Sequence, residues 1–477
     1  MLVAATALAA TACSADEPEL AGNPTSAVEE VDCPFAVPSA VACGLVTVPL
    51  DHADPAAGTT TISIATRPGG DTAVAVLQGG PGGASTDFAG WFPGQPFAQV
   101  FVDQRGTGFG AADLDCPEYD AVLPDLLELP VEQVDEAAAG ALAACAARVA
   151  DRPLLDHADT VTHALDVAAV MDALGHDAWF VYGVSYGSTI GLELLRAEPA
   201  GMAGAVLDGV YPPALDLDRA VAESARSSID AITAACQADE VCSGWSDDFG
   251  ADLDRVVERL DAEPMTVVLD GAESGFGEAV AVQLDGRRFG ELVFLLLYSE
   301  GQIAGLPATV AALLAGDEEA AASLARVAAR TLASAYAANA EATFFAVQCH
   351  ERVPIVSGVD ETLEGFVATI VTTSLVDDCR PWDRTPSDPD EVLAPIVSDL
   401  PVLLLSGEFD PITPPAYAES VAGDLSSSLV VTQRGRSHGV WIGDACIQSV
   451  VADFVAGAEP DVGCADEPVP VNWFRPG

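Results

Sequence analysis

The chain has 477 residues, with 19 arginines and no lysine against 73 Asp plus Glu, giving a formal charge of −54. This balance argues against a nucleic-acid partner, because phosphate contacts need clustered cations. Half of the residues are hydrophobic, enough over this length for one large core or two moderate ones, so disorder is excluded for most of the chain and the acidity reads as a solvated surface.

Residues 2–12 form an apolar stretch ending at Cys13. At about eleven residues it is too short for a bilayer span, which takes ~20, and it fits a signal segment. The run Ala10-Thr11-Ala12-Cys13 resembles the cleavage and acylation signal of a bacterial lipoprotein, which implies export and a lipid anchor at Cys13 as the only membrane contact. Residues 13–32 are acidic, with Pro, Gly and Ser, and read as a flexible tether. The other ten cysteines fall into sequence-local couples: 33 with 43, 116 with 145, 236 with 242, 349 with 379 and 446 with 464. An even count behind an export signal argues for disulfides, each worth ~2–4 kcal/mol if nearest neighbours pair, although sequence leaves the connectivity open. A zinc site is disfavoured, since no CxxC pair or Cys/His cluster with ligand spacing occurs.

From Cys33 short apolar runs alternate with amphipathic stretches. Residues 72–78, 99–103, 179–184, 203–207, 401–406 and 429–432 read as strands, most of them continuous and apolar, as strands covered on both faces should be. Residues 159–174 and 188–196 read as helices between them, and the alternation predicts a parallel α/β sheet. Residues 213–392 differ: Ala- and Leu-rich runs at 289–298 and 308–340 look helical, around one hairpin near 265–282 with Asp270-Gly271 as its turn. The expected organisation is a signal at 1–12, a tether at 13–32, an α/β core at 33–212 and 393–477, and a mostly helical cap at 213–392 inserted between them.

The strongest chemical signal is Gly183-Val184-Ser185-Tyr186-Gly187, a GxSxG between a strand and a helix. Small residues around the serine permit a sharp elbow that lifts its hydroxyl to the top of the sheet and aims the Tyr186 amide at a developing oxyanion. Serine needs a base, and the base needs a carboxylate to fix its tautomer. Of six histidines, His438 lies in a loop after the strand 429–432, and Asp410 lies just past the strand 401–406, followed by Pro411 and Thr413-Pro414. The chain order Ser185, Asp410, His438 is the order of an α/β-hydrolase triad; Glu408 is the rival acid. The Gly-rich turn Gln78-Gly79-Gly80-Pro81-Gly82-Gly83 after an early strand supplies a second oxyanion amide from Gly79 or Gly80. A phosphate cradle is disfavoured there, since no Lys and Ser/Thr pair follows.

The Gly79 to Gly82 turn, the stretch Asp103-Gln104-Arg105-Gly106-Thr107-Gly108, the elbow, the Asp410 loop and His438 together resemble the proline iminopeptidase and tripeptidyl aminopeptidase family of α/β-hydrolase serine peptidases, of the secreted actinobacterial type. The resemblance runs from Cys33 onward and is weakest in the cap. Gln78 stands where the family often has His or Asn, a departure of small consequence because the donor is a backbone amide. The resemblance implies an α/β-hydrolase fold with a helical cap between nucleophile and acid, removal of residues from a peptide's free N-terminus, and no metal or organic cofactor. It also implies cap carboxylates that hold the substrate ammonium, and Glu351, after Cys349-His350, resembles that acidic position. Two rivals remain: a carboxylesterase with identical machinery, and a catalytically dead binding lipoprotein.

Overall fold

The computed structural model describes residues 27–111, 113–336 and 339–474; the signal stretch and Cys13 lie outside the described residues. A nine-stranded sheet is built from β1 (Val28–Val31), β2 (Ala42–Pro49), β3 (Thr59–Arg67), β4 (Ala73–Leu77), β5 (Ala98–Val102), β6 (Trp179–Val184), β7 (Met202–Asp208), β10 (Val402–Gly407) and β11 (Ser428–Gln433). Its order is β1-β2-β3-β5-β4-β6-β7-β10-β11. The strands from β5 through β11 run parallel, while β1, β2 and β3 pair antiparallel at one side. The intervening β8 (Met265–Leu269) and β9 (Val280–Leu284) form a separate hairpin in the insertion.

The continuous apolar runs become central strands because each residue has a layer to enter, whichever way it points. In β4, Ala73, Ala75 and Leu77 join one core while Val74 and Val76 join the other, and β10 splits likewise into Val402 and Leu404 against Leu403 and Leu405. Helices Thr160–Ala173 and Tyr186–Ala197 cover the first face, and the helix Ala445–Val455 covers the second. The architecture is an α/β-hydrolase sheet with helices on both sides.

Three expectations need correction. The tether reading extended too far: Val28–Val31 pairs with Val31 opposite Cys43, forming an exposed edge strand. The hairpin at 265–284 exists, but Asp270-Gly271 is not its two-residue turn. The Asp270 carboxylate accepts the Ala272 and Glu273 amides, and Glu273 reaches back to the Asp270 amide, a capping box that opens a helical turn, Gly271–Ser274. Residues assigned to the core also leave it: helices Val131–Val149 and Pro153–Asp156 pack with Ala342, Phe345, Cys349 and Trp382 in a small satellite core. The insertion itself has its own apolar core, with Phe249, Phe289, Val293 and Phe366 at its centre.

Disulfides join Cys33–Cys43, Cys116–Cys145, Cys236–Cys242, Cys349–Cys379 and Cys446–Cys464, the sequence-local couples. Arg105, fully buried, fastens the sheet to its helical layer. Its guanidinium donates to both Asp166 oxygens at 2.8 and 2.7 Å and to the carbonyls of Leu50 and Pro49. Burial opposes the Asp166 charge, yet Arg105 and His52 beside it hold the carboxyl below its ordinary value. Arg105→Met strands a buried anion and should cost ~3–5 kcal/mol in urea denaturation, whereas Arg105→Met with Asp166→Leu should recover most of that loss.

Candidate active site

Loops leaving the carboxyl ends of parallel strands share one edge of the sheet, where ligands bind in open α/β folds. Ser185 follows β6 directly, with φ 58° and ψ −126°, a sparsely populated conformation for a non-glycine residue. The flanking glycines are steric requirements. A Cβ on Gly183 would sit 2.1 Å from the Gly187 carbonyl oxygen, and one on Gly187 would sit 2.6 Å from that of Leu77. The elbow is tied down by the Ser185 amide, which donates to the Asp208 carbonyl at 3.0 Å. The Tyr186 amide opens the helix Tyr186–Ala197, the positive end of its dipole. The Tyr186 ring is buried, its hydroxyl 3.0 Å from both Thr160 Oγ1 and His163 Nδ1, and burial pushes His163 down to about 4.

After β4 the Gly-rich turn is shaped by Gln104. Its Nε2 donates to the carbonyls of Gln78 and Gly79 at 3.1 and 2.9 Å, and its Oε1 accepts the Gly82 amide at 2.9 Å. The neighbouring Asp103 accepts from Ser63 and Thr86, while burial pushes its carboxyl up to about 6. The Gly79 amide donates to Gln78 Oε1 at 3.1 Å. Gly80 instead lines, with Ser185, a cavity of about 600 Å³ under the cap, together with Tyr211, Asp218, Tyr298, Gln348, Asp378 and Thr413 among others.

Asp410, past β10, is fully buried and accepts from the Ile412 and Thr413 amides, the Thr413 hydroxyl and His438 Nδ1, the last at 2.8 Å. The rival Glu408 is used elsewhere, accepting the Gly435 amide at 2.8 Å beside Arg434. Burial opposes the His438 imidazolium, yet the charge and hydrogen bond of Asp410, with the charge of Asp208, carry the ring above its ordinary 6.5. Tyr298 stands edge-on to His438, ring centres 5.1 Å apart.

Glu351 is not brought to this cavity. Its carboxylate accepts the Thr160 amide and hydroxyl, each at 2.7 Å, and so caps the helix Thr160–Ala173. The carboxylates that line the cavity with Ser185 are Asp218 and Asp378. Sequence reasoning quoted Gln104 within the stretch 103–108 without giving it a role of its own and missed Asp208, although a polar residue just after or at the end of an apolar strand was a signal for both. Among the described residues no group of three His, Cys, Asp or Glu side chains is arranged to hold a metal ion.

Residues 366–465 match the family profile described as TAP-like protein. Serine protease Hip1 of Mycobacterium tuberculosis is 25% identical over 465 residues, covering 90% of this chain and 87% of that one. Tripeptidyl aminopeptidase of Streptomyces lividans is 28% identical over 210 residues, 39% of this chain and 38% of its own. Proline iminopeptidase of Neisseria meningitidis is 28% identical over 141 residues, covering 29% of this chain and 32% of its own. The chain is an enzyme with the α/β-hydrolase fold, and it is similar to these serine peptidases. Among solved structures, proline iminopeptidase of Mycobacterium smegmatis overlays 87% of this α/β-hydrolase and 98% of its own chain, with TM-score 0.43 and 16% identity.

The electrostatics of the pair give a sign that can be measured. An NMR titration of His438 should show a midpoint above 6.5. In Asp410→Asn burial is left opposed by Asp208 alone among the anions named, and the midpoint should fall below that of the unmodified chain.

Proposed function

We propose that the chain is a serine exopeptidase that shortens peptides from their free N-terminus. Ser185 attacks the scissile carbonyl while His438 takes its proton, and Asp410 orients the imidazole and offsets its charge. The Tyr186 and Gly80 amides face the tetrahedral oxyanion; Gly80 is preferred to Gly79 because the Gly79 amide already has an acceptor in Gln78. His438 then protonates the leaving amine, and water hydrolyses the acyl enzyme by the same route reversed.

The observation that carries this reading is the hydrogen-bonded Asp410–His438 pair, whose imidazole meets Tyr298 and Thr413, two residues that line the same cavity as the strained Ser185. The roof of that cavity supports N-terminal specificity. Asp378 is half-buried beside Thr373, and burial, with repulsion from Asp377, Asp135 and Asp218, raises its carboxyl above the ordinary value. A cation brought next to it relieves that cost, and a peptide's α-ammonium is such a cation. Export with a lipid anchor at Cys13 fits the five disulfides. Among the described residues no helix is long and apolar enough to cross a membrane.

Aminoacyl and tripeptidyl anilides should be hydrolysed, with activity abolished in Ser185→Ala and suppressed when the substrate N-terminus is acetylated. Turnover of p-nitrophenyl esters without any amide turnover would replace the peptidase reading with an esterase. Asp378→Asn should raise KM for free-N-terminus substrates about tenfold, equivalent to about 1.4 kcal/mol, while leaving fluorophosphonate labelling of Ser185 at its original rate. Equal loss on free and acetylated substrates would remove Asp378 from the ammonium site.

A further inference from the structure

We propose that Asp208 is a positioning residue for this reaction, locking the histidine loop to the serine elbow. The proposal rests on the triad reading above.

Asp208 ends β7 and is fully buried. Its backbone carbonyl accepts the Ser185 amide at 3.0 Å. Its carboxylate accepts the Val440 and Trp441 amides, each at 3.0 Å, and the Tyr182 hydroxyl at 2.8 Å. One residue therefore holds the nucleophile through its main chain and the loop just beyond His438 through its side chain. Every contact to the carboxylate comes from a donor, the pattern an ionised acid requires and a protonated one would break. Tyr182 itself lies on β6, three residues before Ser185, so the phenol closes the circuit back to the nucleophile strand.

The following residue tightens the corner. Gly209 has φ 61°, and a Cβ there would come within 2.8 Å of Thr413 Oγ1 and 3.2 Å of His438 Cε1. The end of β7 thus leaves no room for a side chain between it and the acid loop and imidazole, while its main chain holds the elbow. Burial pushes the Asp208 carboxyl up, against the Val440, Trp441 and Tyr182 hydrogen bonds and the His438 charge that hold it down. In return its charge adds to that of Asp410 in favouring the imidazolium. Asp410 meets the ring directly, whereas Asp208 works on it through the loop and through space.

The test is the rate at which a fluorophosphonate labels Ser185 across a pH series, per folded molecule counted by circular dichroism. In Asp208→Asn the plateau rate should fall by about 10²-fold, the cost of a small misplacement of reacting groups, and the midpoint of the acid limb should move to lower pH because an anion near His438 is gone. A purely structural Asp208 would lower the melting temperature but leave that midpoint where it was, and this result overturns the proposal. If Asp208→Asn does not fold, Tyr182→Phe tests the same claim. Without its phenol donor the carboxylate gains proton affinity, so labelling should drop at acid pH and stay near the unmodified rate at alkaline pH. A Tyr182→Phe profile superimposable on that of the unmodified chain overturns it. Labelling that survives Ser185→Ala would instead sink the triad reading, whatever Asp208 does.

Discussion

A carboxylate with no solvent contact persists only if donors replace its water, and Asp410 has four of them: two amides, a hydroxyl and an imidazole. Three come from its own loop, so the acid is held before the histidine is considered. That order matters physically. The His438 ring meets an anion whose position is already fixed by Ile412 and Thr413, and the Nδ1 contact therefore sets the ring's orientation. The rigid Pro411 and Pro414 flanking this turn limit its alternatives.

The same logic organises the rest of the sheet edge. Several buried polar side chains there bond to the backbones of neighbouring loops, and each such contact fixes one loop against another. Gln104, after β5, spends its amide on the Gly-rich turn after β4. Asp208, at the end of β7, spends its carboxylate on the loop after β11. Arg105 anchors the helical layer beneath. The parallel strands place these loops side by side, and buried polar side chains cross-link them, so a strained serine elbow can be maintained.

The strands and the elbow were legible because their signals are local. A continuous apolar run with helices before and after it has one stable use, a central parallel strand, and Trp179–Val184 appears at its expected bounds. The edge strands were harder. Val28–Val31 carries Glu29 and Glu30 in an exposed edge strand, so it looks like the acidic segment preceding it. In Thr59–Arg67 the opening threonines hide a strand that is buried only from Ile62 onward. Asp270-Gly271 was ambiguous in kind, because Asp is favoured both in a tight turn and at a helix N-cap; Glu273 three residues later decided for the cap. Glu351 was misread because its partner, Thr160, is 191 residues away. In a chain with 73 acidic residues, only geometry separates a helix-capping carboxylate from one that faces the cavity.

The insertion is bonded to the loops at the sheet edge rather than merely stacked on them. Ser437, adjacent to His438, donates to the Leu297 carbonyl of the insertion, and Arg436 pairs with Glu300 there. At another point the Ala340 amide donates to the Gly82 carbonyl at 2.9 Å, fastening the helix Glu341–Glu351 to the Gly-rich turn. Tyr298 contributes a wall directly against the imidazole. The insertion therefore grips both the loop that carries His438 and the turn that contains Gly80. The width of the cavity and the placement of these two loops therefore depend on the same contacts.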